Sequence, residues 1–195
     1  MSLREPLVTV FMVRPTLDGL PAHPLPSPFT LRPYRPGDEA TWARIESLSD
    51  PHTAVTADLF EEQFGADEAE LSARQRYLCD GDGAAVGTIT AWHNDDYPGR
   101  RYGRVHWVAI VPSHQGRGLA KPLLASCLEL MEELGCEGAY LTTEPPRIPA
   151  INLYLRFGFT PDVRSEDQRR AWQAILEQVK DEFRPAVEAV LEQYT

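Results

Sequence analysis

The chain has 195 residues, 43% of them apolar and 25% charged, which is enough for one domain with a full core and argues against disorder. A net charge of −10 disfavours nucleic acid, whose phosphates need a basic face, and permits a cationic or amine ligand. No apolar run approaches about 18 residues and the N-terminus (Arg4, Glu5, Pro6) lacks a long apolar core, so neither a membrane span nor secretion is expected and the predicted compartment is cytoplasmic.

In chain order, Leu7 to Val13 is β-branched and apolar and predicts a strand. Arg14 to Pro28 is proline-rich and without periodicity, hence a connector with no helix. Phe29 to Tyr34 predicts a second strand. Pro36-Gly37-Asp38-Glu39 then starts a helix, with Asp38 as N-cap and Trp42, Ile45 and Leu48 on its inner face. A break from Ser49 to Thr56, holding Pro51 and His52, precedes a second helix. Thr56 or Asp58 caps that helix, and Leu59, Phe60 and Phe64 form its apolar face. Glu61, Glu62, Asp67, Glu68 and Glu70 read either as a solvated face or as an acidic rim that draws in an amine.

Two strands, Arg76 to Cys79 and Ala84 to His93, flank Asp80-Gly81-Asp82-Gly83, a hairpin turn signal. A surface loop from Asn94 to Gly103 leads to a buried strand, Val105 to Val111. A glycine turn follows, then an amphipathic helix from Leu119 to Leu134. That helix carries an inner face of Leu124, Cys127, Leu128, Met131 and Leu134, Pro122 in its first turn and Gly135 at its end. Gly138 to Thr143 is the next strand, and Glu144 to Pro149 a rigid loop into another helix. Ser165 to Thr195 reads as helix, with a stripe of Trp172, Ile175, Leu176, Val179 and Phe183; Pro185 kinks it or starts a second helix. The three cysteines, Cys79, Cys127 and Cys136, have no metal-like spacing and read as buried thiols, and no metal site is expected.

The turn Gln115-Gly116-Arg117-Gly118-Leu119-Ala120 is the most informative stretch. Two glycines let the backbone approach a ligand closely. The helix behind them begins with unpaired amides, which attract phosphate together with the helix dipole, worth about 0.3–2 kcal/mol. Lys121 lacks the preceding glycine and following Ser/Thr of a Walker loop, and the spacing of a dinucleotide fingerprint is incomplete. The pattern Gln/Arg-x-x-Gly-x-Gly/Ala, on Gln115, Gly118 and Ala120, resembles the CoA-pyrophosphate turn of the GNAT acyltransferase superfamily. A second stretch, Ala150-Ile151-Asn152-Leu153-Tyr154-Leu155-Arg156-Phe157-Gly158-Phe159, resembles that superfamily's fourth helix and following strand. The likeness covers roughly Phe29 to Val163.

What the resemblance implies is an α/β (α+β) GNAT fold: a central mixed, mostly antiparallel sheet flanked by helices, with an extra N-terminal strand and a C-terminal helix. The divisions expected are 1–28 for the strand and connector, 29–163 for the acetyltransferase domain and 164–195 for a helical extension on the same domain. The superfamily's usual final strand is missing after Val163. The Leu7 to Val13 strand is expected to fill its slot or to dimerise, and the C-terminal stripe could also serve a homodimer.

The implied activity is transfer of an acetyl group from acetyl-CoA to a primary amine by direct attack. The strands around the turn would part and leave groups on Val108, Ala109 and Ile110 for the pantetheine, with the Ile110 amide polarising the thioester carbonyl. Gln115, Gly116, Arg117, Gly118, Leu119, Ala120 and Lys121 would hold the diphosphate, and Asn152 is a further candidate contact. Tyr154 matches the general acid, since a phenol near pKa 10 keeps a proton to give to a thiolate. For the base, Glu144, His106, His93 and a water chain all stand open. Arg147 could bind an acceptor carboxylate, lie on the diphosphate side or pin its loop. The acceptor would be a small-molecule or peptide amine, its pocket built from the first two helices and the loop from Asn94 to Gly103. A non-catalytic acyl-CoA-binding or sensor module is the rival reading; it needs the cradle but not Tyr154.

Overall fold

The computed structural model describes residues 8–50 and 55–194, so Leu7, Pro51 and His52 lie outside the described residues. In chain order the elements are β1 (Val10–Arg14), β2 (Thr30–Pro33), α1 (Asp38–Ser49), α2 (Ala57–Phe64), α3 (Glu68–Arg74), β3 (Gln75–Cys79) and β4 (Ala85–Trp92). They continue with β5 (Tyr102–Ile110), α4 (Ala120–Glu133), β6 (Gly138–Thr143), α5 (Ile148–Arg156), β7 (Thr160–Asp162), α6 (Glu166–Leu176) and α7 (Arg184–Gln193). The strands form one sheet in the order β2-β3-β4-β5-β6-β1-β7. The β5–β6 pair is parallel and the others are antiparallel. This is the mixed, mostly antiparallel sheet flanked by helices that the resemblance implies.

Local chemistry sets most boundaries. Thr56 caps α2 by accepting from the Leu59 amide at 3.2 Å. In the β3–β4 turn, Asp80 accepts from the amides of Asp82 and Ala84 at 3.0 and 2.9 Å. Helix α4 ends where Gly135 turns left-handed and the Cys136 amide reaches back to the Met131 carbonyl. Pro185 stands in the first turn of α7, so it starts a second helix.

Three expectations about helix faces are corrected. Asp38 is no N-cap: Gly37 takes that position with φ 96°, and Asp38 is buried as the first helical residue. Its carboxylate binds the Arg32 guanidinium at 2.5 and 2.8 Å and accepts from the Arg35 amide at 2.7 Å. Leu48 is 51% exposed. Positions three apart drift about 60° per step around a helix, so a 42/45/48 series leaves the buried face. The inner face of α1 runs through Trp42, Ile45, Glu46 and Ser49 instead. Leu134 lies just past the end of α4 and is also exposed, while Leu124, Cys127, Leu128 and Met131 are fully buried.

Strand β1 lies between β6 and β7, so it completes its own sheet and does not reach out to a second copy. Val10 and Met12 are fully buried. The Arg14 guanidinium donates to the Phe157 carbonyl, and to the Asp18 carbonyl at 2.8 Å. Gly158 (φ 77°) makes room for it, since a Cβ there would stand 2.4 Å from Arg14 Nη1. Helix α6 packs on β1, and Gln168 Nε2 donates to the Thr9 carbonyl at 3.0 Å. Trp172, Ile175 and Val179 are buried within the chain, so these members of the C-terminal stripe are not exposed for a dimer face. Among the described residues no helix is long and apolar enough to cross a membrane.

Because Met12 sits at the middle of β1 with no exposed surface, Met12→Ala leaves a cavity across three strands and should cost about 2–5 kcal/mol. A drop in the denaturant midpoint with unchanged slope is the expected result.

Candidate active site

Strand β5 pairs with β6 only at Tyr102, Gly103 and Arg104, opposite Gly138, Ala139 and Tyr140. Beyond that point β5 runs on to Ile110 and β6 to Thr143 without pairing to each other. A β-bulge accompanies the parting. Between the pairs Thr88–Ala109 and Thr90–His106, β5 carries one residue more than β4. Within it Trp107 has φ 49°, a left-handed conformation held by packing on Trp42 (ring centroids 5.0 Å apart) and an indole hydrogen bond to Gln63 at 3.0 Å. The Val111 amide donates to the Val86 carbonyl at 2.8 Å. Antiparallel alternation then turns the amides of Ile110 and Val108 away from β4, toward the open edge. Ser49 and Gln115 side chains both donate to the Ile110 carbonyl, at 3.1 and 2.8 Å, fixing the strand end.

The gap opens into two cavities that share Val108, Ala109 and Tyr154. One, about 850 Å³, runs along β5, the 114–121 turn and α5 to Gln178 and Lys180. Among the described residues nothing accepts from the amides of Gly116, Arg117, Gly118, Leu119, Ala120 or Lys121. Gly116 and Gly118 have φ 74° and 78°, and α4 starts with no side-chain cap. Free amides, a helix N-terminus and Lys121 therefore face one groove, a donor set suited to a diphosphate. Val108, Ala109, Ile110, Gln115, Gly116, Gly118, Leu119, Ala120, Lys121 and Asn152 all line it, whereas Arg117 does not. The Asn152 amide is occupied within the chain, donating to the Ile148 carbonyl and accepting from the Lys180 amide, both at 2.9 Å. It clamps the C-terminal extension onto α5. That clamp brings Gln178 and Lys180 to the groove, two residues no motif pointed to.

The other cavity, about 330 Å³, is walled by α1, β5, β6, Gln63, Glu144, Arg147 and Tyr154. The loop from Asn94 to Gly103 takes no part in it. That loop folds back on the sheet, with Tyr97 donating to Asp162 at 2.6 Å and the Asp95 amide donating to Tyr140 at 3.0 Å. The acidic residues Glu61, Glu62, Asp67, Glu68 and Glu70 do not line the cavity either.

Tyr154 is 8% exposed, and burial pushes its phenol up to about 12, so it holds its proton at neutral pH. Among the described residues its hydroxyl has no hydrogen-bond partner. His106 lies in the wall of the smaller cavity with Nε2 3.2 Å from Gln63 Oε1, which only accepts, so this nitrogen carries the proton. Burial, with Arg104 adding to it, lowers the imidazole to about 3, which makes it a poor base. Glu144 is half-exposed and paired to Arg147 at 3.2 Å; Arg147 also binds Asp50 at 2.6 Å, so it pins its loop to α1. His93 pairs with Glu70 at 2.6 Å, outside the cavity.

Glu46 lines the cavity, and the sequence reading passed over it. It is 4% exposed, and among the described residues its buried Oε1 has no partner. An orphan of that kind costs about 1–3 kcal/mol or more. Burial raises the Glu46 carboxyl to about 8, with Arg147 opposing and Asp50 adding to the shift. The available signal was its place at i+4 from Trp42.

With this geometry in view, the chain belongs to the acetyltransferase (GNAT) family, whose pattern matches residues 39–159. It is similar to the mycothiol acetyltransferase of Pseudarthrobacter chlorophenolicus, 31% identical over 157 residues, covering 72% of this chain and 45% of that one. The mycothiol acetyltransferase of Sanguibacter keddieii is 32% identical over 152 residues, covering 74% and 48%. The chain thus spans about half the length of the curated relatives it matches. A GCN5-related N-acetyltransferase from Sphaerobacter thermophilus superposes with a TM-score of 0.65 at 23% identity, over 81% of this chain and 50% of that one; this likeness speaks to the fold.

The raised Glu46 carboxyl carries a stability signature. Its folded-state value lies above the ordinary 4.5, so its contribution is full below about pH 4.5 and is lost as pH rises through about 8. The Tm of Glu46→Gln minus that of the wild type should therefore grow from pH 6 to pH 9. Parallel curves would contradict the shift.

Proposed function

We propose that the chain transfers an acetyl group from acetyl-CoA to the primary amine of a small molecule. The observation that carries this reading is the row of free amides from Gly116 to Lys121 beside a parted strand pair, with Tyr154 where the two cavities meet. Acetyl-CoA supplies an activated acetyl thioester. The amides of the 116–121 turn hold the diphosphate, with Lys121 adding charge. The Ile110 amide binds the pantetheine arm.

Val108 takes the polarising role first expected of Ile110, because it lines both cavities while Ile110 lines only the larger one. A well-placed donor there stabilises developing negative charge by about 2.7–4 kcal/mol. Tyr154 keeps its proton until the leaving sulfur takes it. The smaller cavity receives the acceptor, and its 330 Å³ suits the amine-bearing end of a small molecule. The likeness to relatives named mycothiol acetyltransferase supports a small-molecule amine as the acceptor. A binding module without turnover would need neither this second cavity nor a protonated phenol at its junction.

Tyr154→Phe should lower turnover at least tenfold while acetyl-CoA affinity changes little; equal turnover in both proteins would remove the acid role. Gly118 sits at φ 78° on the groove, so Gly118→Trp should abolish acetyl-CoA binding measured by calorimetry. Unchanged affinity would count against the cradle. Release of free CoA thiol across a panel of amines identifies the acceptor.

A further inference from the structure

Helix α1 buries two acids, and they differ in what surrounds them. Asp38 is matched by the Arg32 guanidinium and the Arg35 amide, and serves the fold. Glu46, two turns on, is as deeply buried, and among the described residues one of its carboxylate oxygens has no partner. It stands in the wall of the acceptor cavity together with Tyr154. We propose that Glu46 is the proton acceptor of the reaction, and that the acceptor enters as a protonated primary ammonium which Glu46 binds and neutralises. This inference rests on the acetyl-transfer reading of the site.

Three observations support it. The first is placement: Glu46, Val108 and Tyr154 line one cavity, so a nitrogen held by Glu46 lies on the acceptor side of the junction. The second is the surroundings. The charged and titratable groups sharing that cavity are Asp50 just past the end of α1, Arg104 and His106 on β5, and Glu144, Arg147 and Tyr154 around α5. Arg147 donates to Asp50 and Glu144, His106 to Gln63 and Arg104 to Thr142, and among the described residues none of them bonds Glu46 Oε1. The third is basicity. An alkylammonium titrates near 10, far above an ordinary carboxyl. Burial raises Glu46 to about 8, close enough for efficient proton exchange, while His106 is lowered to about 3.

The step balances as follows. Glu46 takes one proton from the ammonium, leaving a neutral amine. The nitrogen–carbon bond forms, the carbon–sulfur bond breaks, and the departing thiolate takes the Tyr154 proton. The nitrogen's second proton restores the phenol, and Glu46 releases its own to solvent, giving amide, free thiol and one proton.

The test uses the full chain, acetyl-CoA, the best alkylamine of the panel and its O-alkylhydroxylamine analogue, which is already neutral at the assay pH. For the alkylamine, wild-type kcat/KM should rise up to about pH 8 and then level, whereas Glu46→Gln should keep climbing toward the pKa of the amine. At pH 7.5 the variant should lose about a hundredfold or more on the alkylamine. On the hydroxylamine it should stay within about threefold, with acetyl-CoA affinity unchanged. A loss equal for both acceptors, or a variant as active as the wild type, overturns the assignment. Should the variant not fold, a wild-type profile without the rise to about pH 8 overturns it equally. A wild type that acetylates no amine at all would instead refute the acetyl-transfer reading on which the proposal stands.

Discussion

The early end of pairing between β5 and β6 is the constraint on which the rest depends. Three paired positions hold the strands together at Tyr102 to Arg104; past them the bulge at Trp107 swings β5 aside. A continuous ladder would use the Val108 and Ile110 amides internally and close both cavities. The bulge is held from outside the strand, by Trp42 on α1 and Gln63 on α2. The same two helices wall the smaller cavity, so one set of contacts braces the bulge and shapes the space beside it. At the far end, Gln115 ties the first residue of the cradle to the last carbonyl of β5. The glycine turn and the opened strand are thereby held in fixed relation.

Much of this was legible in the sequence. Strand β6 falls on Gly138 to Thr143 as read, and α4 begins within one residue of its expected start, because glycines and β-branched residues mark both. The turn stood out because its Gln115, Gly118 and Ala120 pattern occurs together with the 150–159 stretch, in the order the resemblance requires. What stayed hidden depends on distance in space. Trp107 adopts a left-handed φ where Trp42 and Gln63 brace it, and no local signal in Val105 to Val111 announces that. Arg117 looked like a diphosphate ligand from its position in the turn, yet it does not line the groove.

Glu46 was missed for a geometric reason. The apolar series Trp42, Ile45 and Leu48 is correct for two members and then rotates off the face, while positions 42, 45, 46 and 49 remain together. Reading only apolar residues hides a polar one that shares their face. Asp38 shows the converse: its place before a helical run suggested a cap, and the nearby Arg32 converted it into a buried anchor. In both cases the side chain's role follows from what the fold brings against it, not from its local sequence.

Strand β1 has a consequence for how the molecule assembles. Its partners are residues 139–143 and 160–162, so residues 10–14 find no ladder until most of the chain has been made. Contacts this distant in sequence slow folding and leave a β-branched, apolar segment unpaired meanwhile. Any vulnerability to aggregation during synthesis should concentrate in that waiting strand, and a chaperone that shields it would act before the gap between β5 and β6 has its final walls.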